Sequence, residues 1–407
     1  MKKNFLYAAA LTLCMSFAAT ACSDDENGGN GGNTGGSTVE EIDITSENAS
    51  NWYAYMSEVA RLLNRDASDL YAYWSEEYNN SGHSYADIFK NHNVSGYFQT
   101  AALCVQQIID GCYDIANEVG DAKIGDPYDM YVGGDTQGAL YAVESWFSWH
   151  SREDYSNNII SIYSAIAGSR DVVVTSDQLN LESSTVAPNS VYNVLKDNGY
   201  GELADQTMQA IKNAHDAILA IPAPFRSHIN SQEALDAQEA CLELATLLQN
   251  QLRGVFDAGQ PLASDELLNE VVNTYVDDVV LPTYLDLKNA AAELYADVNA
   301  LAKNPTNSGF ESVAAQWIVS RAPWEKSEAF LFGPVADKGL DPNMDSWPLD
   351  ATAIVNILNT GDLDQLIWNG DYDENSSSIA DAQNVRGFHT LEFLLFKDGK
   401  ARTVPAE

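Results

Sequence analysis

Apolar side chains recur in this sequence at the spacing of a helix and almost nowhere at the spacing of a strand. Tyr284, Leu287, Ala291, Leu294, Val298 and Leu301 step by three and four, which puts them on one face of a helix. Met208, Ile211, His215 and Ile218 repeat the pattern, and that run stops at Ile221-Pro222-Ala223-Pro224. Residues 232–252 are built of Ala, Leu, Glu and Gln without Gly or Pro, the composition of a long amphipathic helix. Residues 52–74 and 98–119 read the same way. Gly and Pro gather instead in connections, at 120–135, 186–201, 333–348 and 369–387. The strand-like residues 172–174 are too few to anchor a sheet. The expected fold is therefore all-α, two helical-bundle domains. A Gly- and Pro-bearing segment, 253–266, divides them into 45–255 and 256–407.

The charge balance removes several kinds of partner. The chain carries 59 Asp and Glu against 21 Lys and Arg, a formal net charge of −38. Binding nucleic acid requires basic surface to neutralise phosphates, so no nucleic-acid partner is expected. A strongly negative field does concentrate cations around the molecule.

Lys2 and Lys3 precede an apolar run, 5–19, that closes on Ala19-Thr20-Ala21-Cys22. This reads as a signal peptide, 1–21, of a length too short to span a bilayer. Cys22 is then the acylated first residue of a lipoprotein. The Gly-, Asn- and Ser-rich stretch that follows gives a flexible tether over 22–44. The expected location is the cell envelope, lipid-anchored to the outer membrane and surface-exposed, with the anchor as the sole membrane contact. The other cysteines form no disulfide framework: Cys104 and Cys112 are eight apart, roughly 12 Å along a helix, too far to bridge.

Of the six histidines, His83 and His92 sit in polar, loop-like sequence, His215 on an apolar helix face, and His228 after a Pro turn. His150 lies in an aromatic segment, Glu144-Ser145-Trp146-Phe147-Ser148-Trp149-His150. His389 stands apart, in Gly387-Phe388-His389-Thr390-Leu391-Glu392. On a helix His389 and Glu392 share a face, and an imidazole beside a carboxylate in apolar surroundings can bind a divalent metal or act as an acid–base pair. Two ligands fall short of a tight metal site. On spacing alone, a structural polar pair is the favoured reading, since such short motifs recur by chance.

The wider sequence adds to this. Gly387-x-His389-x-x-Glu392 followed by an apolar run resembles the G-x-H-x-x-E signature of imelysin-like proteins. Trp317 and Arg321-Ala322-Pro323-Trp324-Glu325-Lys326-Ser327-Glu328, then Asp345-Ser346-Trp347-Pro348-Leu349-Asp350, resemble the segments upstream of it. Glu144-Ser145-Trp146-Phe147-Ser148, with Asn157, Asn158 and Ile159 beyond, resembles a segment that normally follows the signature helix, yet here it precedes it. Circular permutation, with old ends joined through 253–266, explains the swapped order: 45–255 resembles the family's C-terminal half and 256–407 its N-terminal half.

The resemblance implies an all-helical protein with a site between its halves and a role in iron acquisition. It carries His389, Glu392, Glu328 and Glu144 as metal ligands, with Gly387 and Arg321 beside them. A divalent metal, iron or zinc, free or as a chelate, is the implied ligand, with an outer-membrane receptor or transporter as a further partner. No H-E-x-x-H is present, so the usual zinc-peptidase arrangement is missing. Binding or uptake therefore ranks above a metallopeptidase of the imelysin type, with His389 and Glu392 its catalytic pair. A carbohydrate- or partner-binding surface lipoprotein is the remaining alternative.

Overall fold

The computed structural model describes residues 42–405, apart from Ala258 and Pro261. The signal peptide, Cys22 and nearly all of the tether lie outside the described residues. Within them helices predominate and strands are almost absent. The strands are two short antiparallel pairs, Val174–Thr175 with Gln178–Leu179 and Phe396–Lys397 with Lys400–Ala401. No described helix is long and apolar enough to cross a membrane.

The periodic stripes become the packed faces. Tyr284, Leu287, Ala291, Leu294, Val298 and Leu301 are all buried along the Leu281–Lys303 helix. That helix packs against Ala49–Ser75 on one side and Asn307–Glu325 on the other. Ala49–Ser75 buries Trp52, Tyr55, Met56, Val59, Leu63, Leu70 and Trp74, each worth about 1.5–3 kcal/mol of transfer from water. A second group comprises Ala101–Glu118, Ser151–Ala167, Gly201–Ala220 and Gln232–Leu247, which pack on one another. Several helix starts are fixed by hydroxyl caps: Thr100, Ser231, Ser264 and Thr306 each accept a backbone N–H from the first turn. The groups meet where Ser151–Ala167 packs on Asn307–Glu325 and on the turn Glu328–Phe330.

The helix Gly387–Leu395 lies at this junction, and every one of its residues is buried. Nine residues would not hold a helix in water; burial and side-chain donors do so here. Trp317 and Trp52 donate their indole N–H groups to the Phe388 and Leu394 carbonyls, each at 3.0 Å, and the Tyr55 hydroxyl donates to Val385 at 2.6 Å. The ends of the described chain also meet. Lys397 pairs with Asp43 at 2.7 Å, and Arg402 donates to the Ile42 carbonyl at 3.0 Å.

The helix expected over 232–252 changes character part-way: it is α-helical over Gln232–Leu247 and widens to a π-helix over Leu248–Leu252. Two more π-segments occur, Val119–Gly125 and Tyr275–Val280. Periodicity alone does not foresee such bulges, since each adds a residue to one turn without changing the residue types.

Candidate functional site

His389 and Glu392 do share a face of the Gly387–Leu395 helix. His389 Nδ1 lies 3.1 Å from Glu392 Oε2, and Nε2 lies 3.1 Å from Asp345 Oδ1. Both ring nitrogens are therefore engaged by carboxylates, an arrangement that suits an imidazolium donating twice. Burial and the nearby Arg321 pull against the charge, yet Asp345 and Glu392 hold the His389 pKa up at about 9. The Trp347 ring meets the imidazole edge-on at 4.8 Å. Glu392 is held in turn: Ser148 donates its backbone N–H and its hydroxyl to Oε1 at 2.8 and 2.7 Å. Gly387 enables the approach. Its φ is +86°, and a Cβ there would stand 2.5 Å from the Met344 carbonyl oxygen, so no other residue fits without displacing backbone.

Arg321 reaches the same carboxylate from the Asn307–Glu325 helix. It is wholly buried and pairs with Asp345, with Glu325 at 2.6 Å and with Asp154 at 3.6 Å. Burial would raise Asp345, but Arg321 and His389 hold it well below the usual carboxylate range. The opposite holds for its neighbours. Burial pushes Glu325 up to about 8 and Asp154 up to about 7. Asn158 donates to Glu325 at 2.5 Å, and Ser145 to Asp154 at 2.5 Å.

Beyond Asp345 lies a cavity of about 140 Å³, walled by Glu118, Lys123, Glu144, Glu328, Asp341, Asp345, Leu331 and Trp347. Lys123 projects into it from the Val119–Gly125 π-segment, 3.1 Å from Glu144 and 3.5 Å from Glu118. Glu328 faces the cavity at 6% exposure. It makes no hydrogen bond or ion pair within the described residues, and burial raises its pKa well above the ordinary value, with Lys123 only partly opposing. Burial and the adjacent Asp345 push Asp341 up to about 8. Glu325, Glu328 and Asp345 each offer an oxygen within 4.8 Å of the others. Carboxylates outnumber Arg321, Lys123 and His389, so the site must take up protons or a further cation.

Every sequence-derived candidate within the described chain thus lies in this region. Glu144 and Glu328 line the cavity, Asp345 joins it to His389, Glu392 and Arg321, and Gly387 opens the helix that carries the pair. Residues 144–154 and 387–392 come together through Ser148 and Glu392, although 244 positions separate these two residues. Asp345, Glu325, Asp341, Asp154 and Lys123 were not singled out by sequence. Arg321 and Glu325 stand at the i, i+4 spacing of a helical ion pair, and Asp345 opens the Asp-Ser-Trp-Pro-Leu-Asp segment, so both had a readable signal. Lys123 had none, because a lone lysine in a glycine-bearing connection points nowhere. The other histidines serve locally: His215 is buried beside Asp216, His83 meets Asp87, and His228 meets the Pro224 carbonyl at 3.0 Å.

A family profile described as imelysin matches this chain over residues 31–252 and 280–407. The crystal structure of an imelysin peptidase from Bacteroides ovatus superposes with a TM-score of 0.84 at 50% identity, covering 90% of this chain and 99% of that one. Iron-regulated protein A of Synechococcus elongatus is 31% identical over 131 residues, 32% of either chain. The chain thus spans about a third of the length of that curated relative.

Proposed function

The chain belongs to the imelysin family, and from that premise we propose that it binds a small, hard metal cation in the Glu328 cavity. Glu328 carries the reading. A buried carboxylate without a partner is costly, and this one faces a polar cavity beside two further carboxylates. An oxygen-only donor set suits ions of the magnesium, manganese and iron(II) kind over thiolate-seeking ones. The name of the Synechococcus relative adds an iron-related context, so iron(II) is the ion we put first. Glu328 and Asp345 would hold it from the cavity wall, Glu325 would complete the set, and water would fill the remaining positions.

The volume favours an ion with a few waters. Pockets for drug-sized ligands run from roughly 300 Å³ upward, whereas this one has about 140 Å³, small for a bulky chelate, a peptide or a sugar chain. His389 and Glu392 are then positioning residues: with both nitrogens engaged, His389 orients Asp345 rather than ligating. The same clamp disfavours His389 itself as a general base near neutral pH, because Asp345 and Glu392 hold its pKa up at about 9.

Chelator-treated protein should bind manganese(II), and iron(II) without oxygen, with a stoichiometry of about one. Glu328→Gln, close in shape, should weaken both at least about tenfold while leaving helicity unchanged. Equal affinity in parent and variant would sink the cavity as the metal site. Chelator-sensitive cleavage of unfolded protein, lost in His389→Ala, would instead establish a peptidase.

A further inference from the structure

We propose that Lys123 is a tethered competing cation that sets the affinity of the cavity, shielding its carboxylates when the ion is away and keeping the bound ion releasable. This rests on the cation-binding reading above, and goes beyond it by assigning the control of affinity to a residue that is not a ligand.

The placement of Lys123 is built into the fold. The π-segment Val119–Gly125 follows directly on the Ala101–Glu118 helix, and Lys123 within it is buried at the cavity wall. Gly120 brings the segment against the Gln232–Leu247 helix so closely that a Cβ would stand 2.9 Å from the Leu242 side chain. The lysine is 5% exposed, and its ammonium lies over the Tyr155 ring at 5.9 Å. Burial would lower its pKa, but Glu144 and Glu328 hold it well above the ordinary value, so it carries its charge at any physiological pH. Its hydrogen bond goes to Glu144, while Glu328, 6% exposed and without a hydrogen-bond partner among the described residues, is left open to a ligand. The cavity therefore contains both a free carboxylate and a resident positive charge beside it.

A fixed ammonium repels an arriving ion in proportion to that ion's charge. At an effective dielectric near 20 and a separation of about 6 Å the unscreened repulsion corresponds to roughly a hundredfold in affinity per unit of ion charge, and screening by Glu144 and by water in the cavity brings this to about tenfold. Valence dependence is the signature, because a residue that merely supports the fold would alter all ions alike.

The test is a titration series with potassium, manganese(II) and terbium(III) on the full mature chain, parent against Lys123→Gln and Lys123→Met. Both variants should bind more tightly, about tenfold for potassium, about a hundredfold for manganese, and more again for terbium. Lys123→Arg, which keeps the charge, should show no such gain. Equal or weaker binding by the neutral variants, or a gain independent of valence, overturns the proposal. If neither neutral variant folds, the lysine ammonium signals of the parent decide by NMR: saturating magnesium must shift that of Lys123, and an unmoved signal refutes the idea. A parent that binds none of these ions defeats the cation-binding reading itself; a parent that binds them without the valence-graded gain defeats only the role of Lys123.

Discussion

A single carboxylate, Asp345, ties together the groups that the site depends on. It receives Arg321, His389 and the Trp324 indole N–H, the last at 2.6 Å, and it also faces the cavity. Its charge is fixed by two cations, whereas Glu325, Asp154 and Asp341 are pushed toward their protonated forms. This has a consequence for stability without metal. His389, raised from 6.5 to about 9, stabilises the fold fully below pH ~6.5 and loses that contribution as pH rises through about 9. Carboxyls with raised values act in the same direction, since the folded state then holds protons that the unfolded state releases from about pH 4 upward. In chelator, stability should therefore fall between pH 6 and pH 9, with His389 alone accounting for about 3 kcal/mol. Thermal melts across this range check it, and His389→Gln should flatten the alkaline part of the slope. A melting temperature that is constant or rises with pH would contradict the clamp. Of this network, sequence revealed His389, Glu392, Glu328, Glu144 and Arg321, because each lay in a segment with a recognisable pattern. It did not reveal Asp154 or Lys123, whose roles exist only once distant segments are folded together.

The Gly387–Leu395 helix depends on one backbone position. Gly387 combines a left-handed φ of +86° with a Cβ direction blocked by the Met344 carbonyl. Gly82 offers a natural control, with a similar φ of +76° and nothing within 4 Å of the added Cβ. Gly82→Ala should cost about 1 kcal/mol, the conformational term alone. Gly387→Ala should cost at least about 3 kcal/mol, because backbone must move as well. Urea unfolding of the two variants separates these terms, and equal costs would show that the close approach at Met344 is unimportant. The stripes of the long helices were legible because packing a face demands a period, and Tyr284 to Leu301 obeyed it to the residue. The π-turns at Val119–Gly125 and Leu248–Leu252 were not, because an inserted residue keeps the local composition intact.

For the whole molecule, the acidic balance and the all-helical class followed from composition and period, while the meeting of 144–154 with 387–392 followed only from the likeness of both segments to one family. The two matched blocks, 31–252 and 280–407, leave 253–279 between them, a stretch that includes the whole of the Gly- and Pro-bearing connection. The ends of the described chain are neighbours, since Ile42 and Asp43 touch Lys397 and Arg402. If the present order is a permutation of one helical plan, the plan should tolerate being reopened at the connection and closed at these neighbouring ends. A gene that begins at Ala263, just ahead of the Ser264 cap, runs to Val404, crosses a short Gly- and Ser-rich linker to Ile42, and ends at Asp257, keeping the buried Phe256, makes that change. The linker needs to span only a short gap, and a flexible loop costs little more for each added residue. No helix is cut, and the contacts of Ser148 with Glu392 and of Arg321 with Asp345 are all retained. The reordered protein should have the parent's helicity, melt within a few degrees of it, and bind manganese(II) with the same affinity. A soluble product that lacks cooperative melting would mean that the chain order itself, through its folding route, is required. Folding with loss of metal binding would mean that the cavity depends on how residues 253–266 are held.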